Sequence, residues 1–208
     1  MSCLFCTLPF ADKFELPEDE MLDESEHFYT KAALGHFVFG YMLVISKDHY
    51  ISCADLPISL FSELDKFSRD IESHIRSITD VGVMTFEHGA VSRPYRAGSC
   101  IDHAHLHLFP VGDRLVLELL SRFAFAELSC HSDIRSFRAN DTPYIYFRTS
   151  RGNEYAAPCP SDLPSQFIRR VACNCLGCSE LWDWRDSPLR DSLEEYKRRY
   201  KDQKQHGS

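Results

Sequence analysis

Apolar and polar positions along the chain follow two different periods, and the switches between them mark out the elements. Residues 36–45 are dense in β-branched and aromatic side chains and read as a central strand. Leu60, Phe61, Leu64, Phe67, Ile71 and Ile75 then recur at helical spacing, so residues 57–77 are expected to form an amphipathic helix with Pro57 in its first turn. Residues 81–86 are the next strand. The segment that follows at 102–109 alternates strictly. His103, His105 and His107 fall on one side of it, Ala104, Leu106 and Leu108 on the other, and Pro110 ends it. Period 2 puts the three imidazoles on one face of a half-buried strand, neighbours roughly 6.5–7 Å apart along the chain. The apolar set packs on a core.

The second half is less regular. Residues 111–130 read as a helix with Leu115, Leu119, Leu120 and Phe123 on its apolar side. Residues 144–149 are strand-like, and 153–155 close a hairpin over Arg151 and Gly152. Residues 166–178 are a second helix candidate, and Trp182 and Trp184 are expected to cap the core. The mixed-charge tail at 188–208 reads as a fraying surface helix. Residues 12–30 carry eight acidic side chains and read as a solvated segment.

Length and composition set bounds on the chemistry. A chain of 208 residues with 44% hydrophobic and 26% charged residues can bury one good-sized core. A net charge of −8 argues against a general nucleic-acid coat, yet leaves room for a locally positive pocket that takes a nucleotide. No apolar run is long enough to span a bilayer, and no basic stretch followed by an apolar core opens the chain, so a cytoplasmic protein is expected. In a reducing compartment the nine cysteines are read as metal ligands or buried apolar residues, not as disulfides. Cys3 and Cys6 form a Cys-x-x-Cys pair, half of a tetrahedral site whose other ligands the histidines can supply. Cys173, Cys175 and Cys178 point in different directions on a helix and are read as packed thiols. Three imidazoles in register without a task would be costly, because each buries two nitrogens that need partners. There is no phosphate-binding Gly-rich loop and no Gly-x-Ser-x-Gly elbow.

His103-Ala104-His105-Leu106-His107-Leu108-Phe109 resembles the signature of the histidine triad (HIT) superfamily of nucleotide hydrolases and transferases. Ala97-Gly98-Ser99-Cys100 lies where that family has a Gly-Gln-Ser/Thr turn, and Leu43-Val44-Ile45-Ser46-Lys47 matches its preceding strand. The resemblance covers roughly the first 110 residues. It implies an α+β fold with a central antiparallel sheet and flanking helices in residues 1–112. Residues 113–208 are then an extension packed on that core.

The resemblance also implies roles. His105 matches the nucleophile that attacks the α-phosphorus and becomes nucleotidylated. His107 matches the donor to the phosphoryl oxygens, and Ser99 is placed to help protonate the leaving group. Cys3, Cys6, His49 and His103 match a zinc set that pins the N-terminus to the triad strand. Glu87 and His88 stand where relatives carry Asn-Gly, and with Arg93 and Arg96 they are the candidate substrate contacts. A nucleotide hydrolase is the implied activity. A nucleotidyltransferase or phosphorylase using the same intermediate, and a non-catalytic zinc-stabilised nucleotide-binding module, stay open. A homodimer is expected.

Overall fold

The computed structural model describes residues 3–8, 16–92, 97–99, 101–160 and 162–206. The fold is α+β. Eight strands form one sheet: β1 (Asp23–Glu24), β2 (Phe28–Ala32), β3 (Met42–Ser46), β4 (Met84–Gly89), β5 (His105–Phe109), β6 (Ala126–Glu127), β7 (Tyr144–Arg148) and β8 (Glu154–Pro158). Their order across the sheet is β1-β2-β3-β5-β4-β7-β8-β6, and every pairing is antiparallel. The strands contributed by residues after 112 therefore continue the same sheet, with β7 bonded directly to β4.

Each face of the sheet carries its own core. Leu106 and Leu108 join Met42, Val44 and Tyr146 on one face, beneath the long helix α2 (Phe61–Thr79). Helix α6 (Arg190–His206) packs beside it and buries Leu193, Tyr196 and Tyr200. On the other face Leu43, Ile45, Phe86, Phe109 and Phe147 meet α5 (Phe167–Leu176) through Ile168, Val171 and Ala172. Short helices α1 (Leu4–Thr7), α3 (Val116–Leu120) and α4 (Arg135–Ala139) fill the edges. No described helix is long and apolar enough to cross a membrane.

Five expectations from the sequence pattern need correction. The strand expected over 36–45 shrinks to β3. Gly35 (φ +70°) and Gly40 (φ +92°) adopt left-handed backbone, and the chain turns between them. Gly35 also sits so tightly against Arg169 and Trp184 that a Cβ would lie 2.5 Å from the Arg169 Nη2. The helix expected over 111–130 is only α3, with Leu117 80% exposed. The chain leaves it so that Phe125 can pack on Phe147 and β6 can pair with β8. The strand expected over 81–86 runs on to Gly89, so Glu87 and His88 lie within β4, not in a loop. The tail is no fraying surface helix, because Leu193, Tyr196 and Tyr200 recur on one side of it and pay into the core. The acidic 12–30 segment is likewise not wholly solvated: Glu18 and Asp19 are buried in ion pairs with Arg190 and Lys31.

A buried ionic cluster lies at the β7 side of α2. Arg148 is 1% exposed, and its Nη2 donates to Glu72 Oε1 at 2.6 Å and to Ser68 Oγ at 2.9 Å. Its Nη1 lies 3.6 Å from Asp65 and 3.8 Å from Glu154. Removing one partner of such a cluster leaves uncompensated buried charge. Arg148→Met should therefore lower the free energy of unfolding by about 3–5 kcal/mol, measured by urea denaturation. A loss below 1 kcal/mol would show that the cluster is not desolvated as drawn.

Candidate functional site

Strand β5 positions the histidines through its register. His105 pairs with Ile45 of β3, and His107 stands between Leu43 of β3 and Phe86 of β4. Both rings leave the sheet on the α5 side, because Leu106 and Leu108 are held in the opposite core. Their centroids are 4.7 Å apart. His105 Nδ1 lies 2.6 Å from the His103 carbonyl oxygen. A carbonyl only accepts, so Nδ1 carries the proton and, in the neutral ring, the lone pair sits on Nε2. His107 stacks on Phe86 at 4.4 Å with planes 3° apart, and its Nδ1 lies 2.6 Å from the Tyr41 hydroxyl. Burial pushes the pKa of His105 down. It pushes that of His107 well down, and the charges of His105, His88 and Arg169 add to the effect. The imidazoles are neutral at pH 7.

The strand expected over 102–109 begins only at His105, so His103 lies just before β5 and faces a different set of atoms. Its Nε2 donates to the Ser46 carbonyl at 2.7 Å, which frees Nδ1 as an acceptor. That Nδ1 lies 3.4 Å from Cys3 Sγ and 3.5 Å from Cys6 Sγ, and His49 Nδ1 lies 3.3 Å from Cys6 Sγ. The four candidate ligand atoms are all within 4.8 Å of one another. A tetrahedral ion with metal–sulfur and metal–nitrogen bonds of about 2.3 and 2.1 Å requires donor–donor edges of roughly 3.6 Å, so the residues fit such an ion. The donor set agrees in kind: burial and the neighbouring Cys3 push the Cys6 thiol up to about 11, so it holds its proton at pH 7 and would give it up only on coordinating a cation. The Ser46 carbonyl supplies the outer hydrogen bond that orients a ligating imidazole.

His105 and His107 open onto a cleft of about 730 Å³, including its solvent-open mouth. Ser99 and His88 line it as well. Ser99 follows Ala97 and Gly98, both in left-handed backbone, and its hydroxyl donates to the Ile101 carbonyl at 2.8 Å. His88 does not offer a cation for phosphate. Its Nε2 accepts the Ile168 N–H at 3.2 Å, and burial, with the charge of His105 adding to it, lowers its pKa to about 3. Glu87 does not reach the cleft at all. As the neighbour of His88 on β4 it points to the α2 face, where it accepts from the Cys53 N–H and the Tyr144 hydroxyl, each at 2.6 Å. Arg93 and Arg96 lie outside the described residues.

Four cleft residues escaped the sequence reading. Tyr41 lay inside the presumed strand 36–45. Gln166, Arg169 and Trp184 come from the extension, where no motif marked them. The buried pair of Lys31 and Asp19, 2.7 Å apart, forms another part of the wall.

No protein-family model matches the chain, and no curated protein matches it in sequence. Solved structures similar to it include a hypothetical histidine triad nucleotide-binding protein from Sulfolobus tokodaii. It is 22% identical, with 52% of this chain and 68% of that one covered at a TM-score of 0.44. A HIT family protein from Bacillus anthracis is 22% identical, over 52% of this chain and 72% of that one, at a TM-score of 0.45. A zinc-bound histidine triad family protein from Mycobacterium smegmatis is 23% identical, over 52% and 74%, at a TM-score of 0.43. The similarity to each spans about half of this chain.

Two predictions follow from the geometry. His36 and His88 are buried neutral, with pKa values lowered to about 4 and about 3. Below pH 6.5 the unfolded chain binds protons that the folded chain refuses, so stability is full above pH 6.5 and declines as pH falls towards 3–4. The free energy of unfolding, measured by urea denaturation, should drop across that window by an amount on the order of a few kcal/mol. A flat profile would contradict the buried neutral rings. Glu87→Gln should cost about 1–3 kcal/mol of stability yet leave ligand binding in the cleft within twofold, as read by calorimetry.

Proposed function

We propose that the chain is a HIT-type nucleotide hydrolase. It cleaves a phosphoanhydride or phosphoramidate at the α-phosphorus through a nucleotidyl-histidine intermediate. The observation that carries this reading is the hydrogen bond from His105 Nδ1 to the His103 carbonyl, which leaves a neutral imidazole with its Nε2 lone pair available at the cleft. A neutral imidazole is a competent nucleophile near pH 7. The Nε2 lone pair forms a bond to phosphorus as the bond to the leaving group breaks. Ser99, after turning its hydroxyl from the Ile101 carbonyl, relays a proton from solvent to the leaving group, taking one from water as it gives its own. Water then attacks the phosphorus and releases a proton to solvent, the P–N bond breaks, and a nucleoside monophosphate leaves with His105 restored.

His107 steadies the phosphoryl oxygens. With Tyr41 donating to its Nδ1, the ring carries its proton on Nε2 and offers it as a hydrogen bond where negative charge grows. Tyr41 is thus a positioning residue for the donor. Cys3, Cys6, His49 and His103 would hold zinc, whose contribution is structural: it ties the N-terminal segment to the start of β5. Phe5, between the two cysteines, lies against His105 with ring centroids 5.5 Å apart, so that tether also forms part of the cleft wall.

The decisive experiment is intact-protein mass after brief mixing with dinucleoside polyphosphates, nucleoside phosphoramidates and nucleoside diphosphate sugars. A nucleotidyl-sized gain or a released mononucleotide is expected for the wild-type chain and neither for His105→Asn, which should keep its fold. No adduct and no product from the wild type across the panel would favour a binding module instead. Tyr41→Phe should lower kcat by about 10- to 100-fold with a smaller change in KM. Elemental analysis should find one zinc per chain, and a chelator should lower the Tm; a metal-free chain with an unchanged Tm would remove the tether.

A further inference from the structure

The C-terminal segment brings to the cleft a cation that no acid among the described residues neutralises. Arg169, on α5, is 3% exposed and lines the same cleft as His105 and His107. Its Nε donates to the Trp182 carbonyl at 2.9 Å and its Nη2 to the Gly35 carbonyl at 3.1 Å. Its guanidinium carbon lies 4.8 Å from the centre of the Phe37 ring and 5.4 Å from that of Tyr41. These contacts hold the group in place without balancing its charge. The other charges of the cleft are already matched. Asp19 pairs with Lys31 at 2.7 Å, and Glu18 with Arg190 at 2.6 Å. Among the described residues no carboxylate lies within 4 Å of Arg169.

A buried charge without a counter-charge is costly, and a guanidinium has five N–H donors, of which the two carbonyls use one each. The remaining donors, on Nη1 and Nη2, form the edge that suits two phosphate oxygens. One turn earlier, Gln166 is 2% exposed and also lines the cleft. Its Nε2 is committed to Asp183 Oδ1 at 3.1 Å, while its Oε1 is buried with no hydrogen-bond partner. A fixed cation and an orphaned acceptor thus stand together at the extension's end of the cleft.

We propose that Arg169 is the anchor for a second phosphate, beyond the one His105 attacks, and that Gln166 accepts from a hydroxyl or amine of the same ligand. The preferred ligands are then nucleotides carrying at least two phosphates. This rests on the nucleotide reading of the cleft and adds to it the class of leaving group.

The test measures equilibrium binding of adenosine, AMP and ADP, the matching guanosine series, and inorganic pyrophosphate, all in the His105→Asn background to prevent turnover. Each is repeated with Arg169→Met and Arg169→Lys added. The diphosphate should bind more tightly than the nucleoside, and Arg169→Met should weaken the diphosphate by about 10- to 100-fold while moving the nucleoside less than threefold. Arg169→Lys should recover part of the loss. Equal weakening of nucleoside and diphosphate would mean that Arg169 only holds the 33–41 turn, and unchanged diphosphate affinity would mean that it meets no phosphate; either overturns the proposal. Arg169-dependent binding of pyrophosphate without any nucleoside or nucleotide binding would keep the anion site and overturn the nucleotide reading. Absence of binding by every phosphate-bearing probe would overturn the proposal outright.

Discussion

The arrangement depends on the pleat of β5, a strand bonded on both sides and buried on both faces. Leu106 and Leu108 have no exposure and are locked into the core beneath α2, so the residues between them must emerge on the other face. A register slip of one residue would bury the imidazoles among leucines and push the leucines into the cleft. The two cores on either side of the sheet are therefore what hold His105 and His107 in the positions from which they meet a ligand. Neutral imidazoles are the compatible form, because burial in that setting disfavours the charged ring.

His103 links the two chemical centres through one residue. Its Nε2 is tied to the Ser46 carbonyl and its Nδ1 is turned to Cys3 and Cys6. Its own carbonyl takes the proton of His105 Nδ1. Whatever fixes the His103 ring also restrains the backbone that sets the tautomer of His105. In the proposed function, a structural ion among Cys3, Cys6, His49 and His103 acts on the reacting imidazole through this one peptide unit.

The C-terminal residues are part of the same sheet and the same cleft. Helix α5 covers the histidine face, and its first turn meets both His88, through the Ile168 N–H, and Gly98, where an added Cβ would lie 3.2 Å from the Phe167 Cβ. Arg169 reaches the 33–41 turn on the far wall. Helix α6 closes the opposite side over α2 and carries Arg190 to Glu18. The cleft is thus framed by segments far apart in the chain.

Local pattern was enough to specify the strand of His105 and His107, their shared face and the α2 helix, because alternation and helical spacing report directly on which side a residue faces; that His103 stands just outside the strand was not legible. The Cys-x-x-Cys pair was equally legible as half of a candidate ligand set, and the fold brings His49 and His103 to it. Tertiary packing decided the rest. Gly35 and Gly40 cut a strand-like run into a turn through contacts with Arg169, Trp184, Thr79 and Pro110. Leu193, Tyr196 and Tyr200 were spaced for burial, but the many charges around them masked it until α2 and β2 provided a surface to cover. Neighbours in sequence can serve opposite faces, as Glu87 and His88 do, and that follows once β4 is known to extend through them. Arg169 carries no local signature at all: an arginine in an amphipathic helix is ordinary, and only the fold reveals that its charge is buried beside a histidine cleft with no acid among the described residues to meet it.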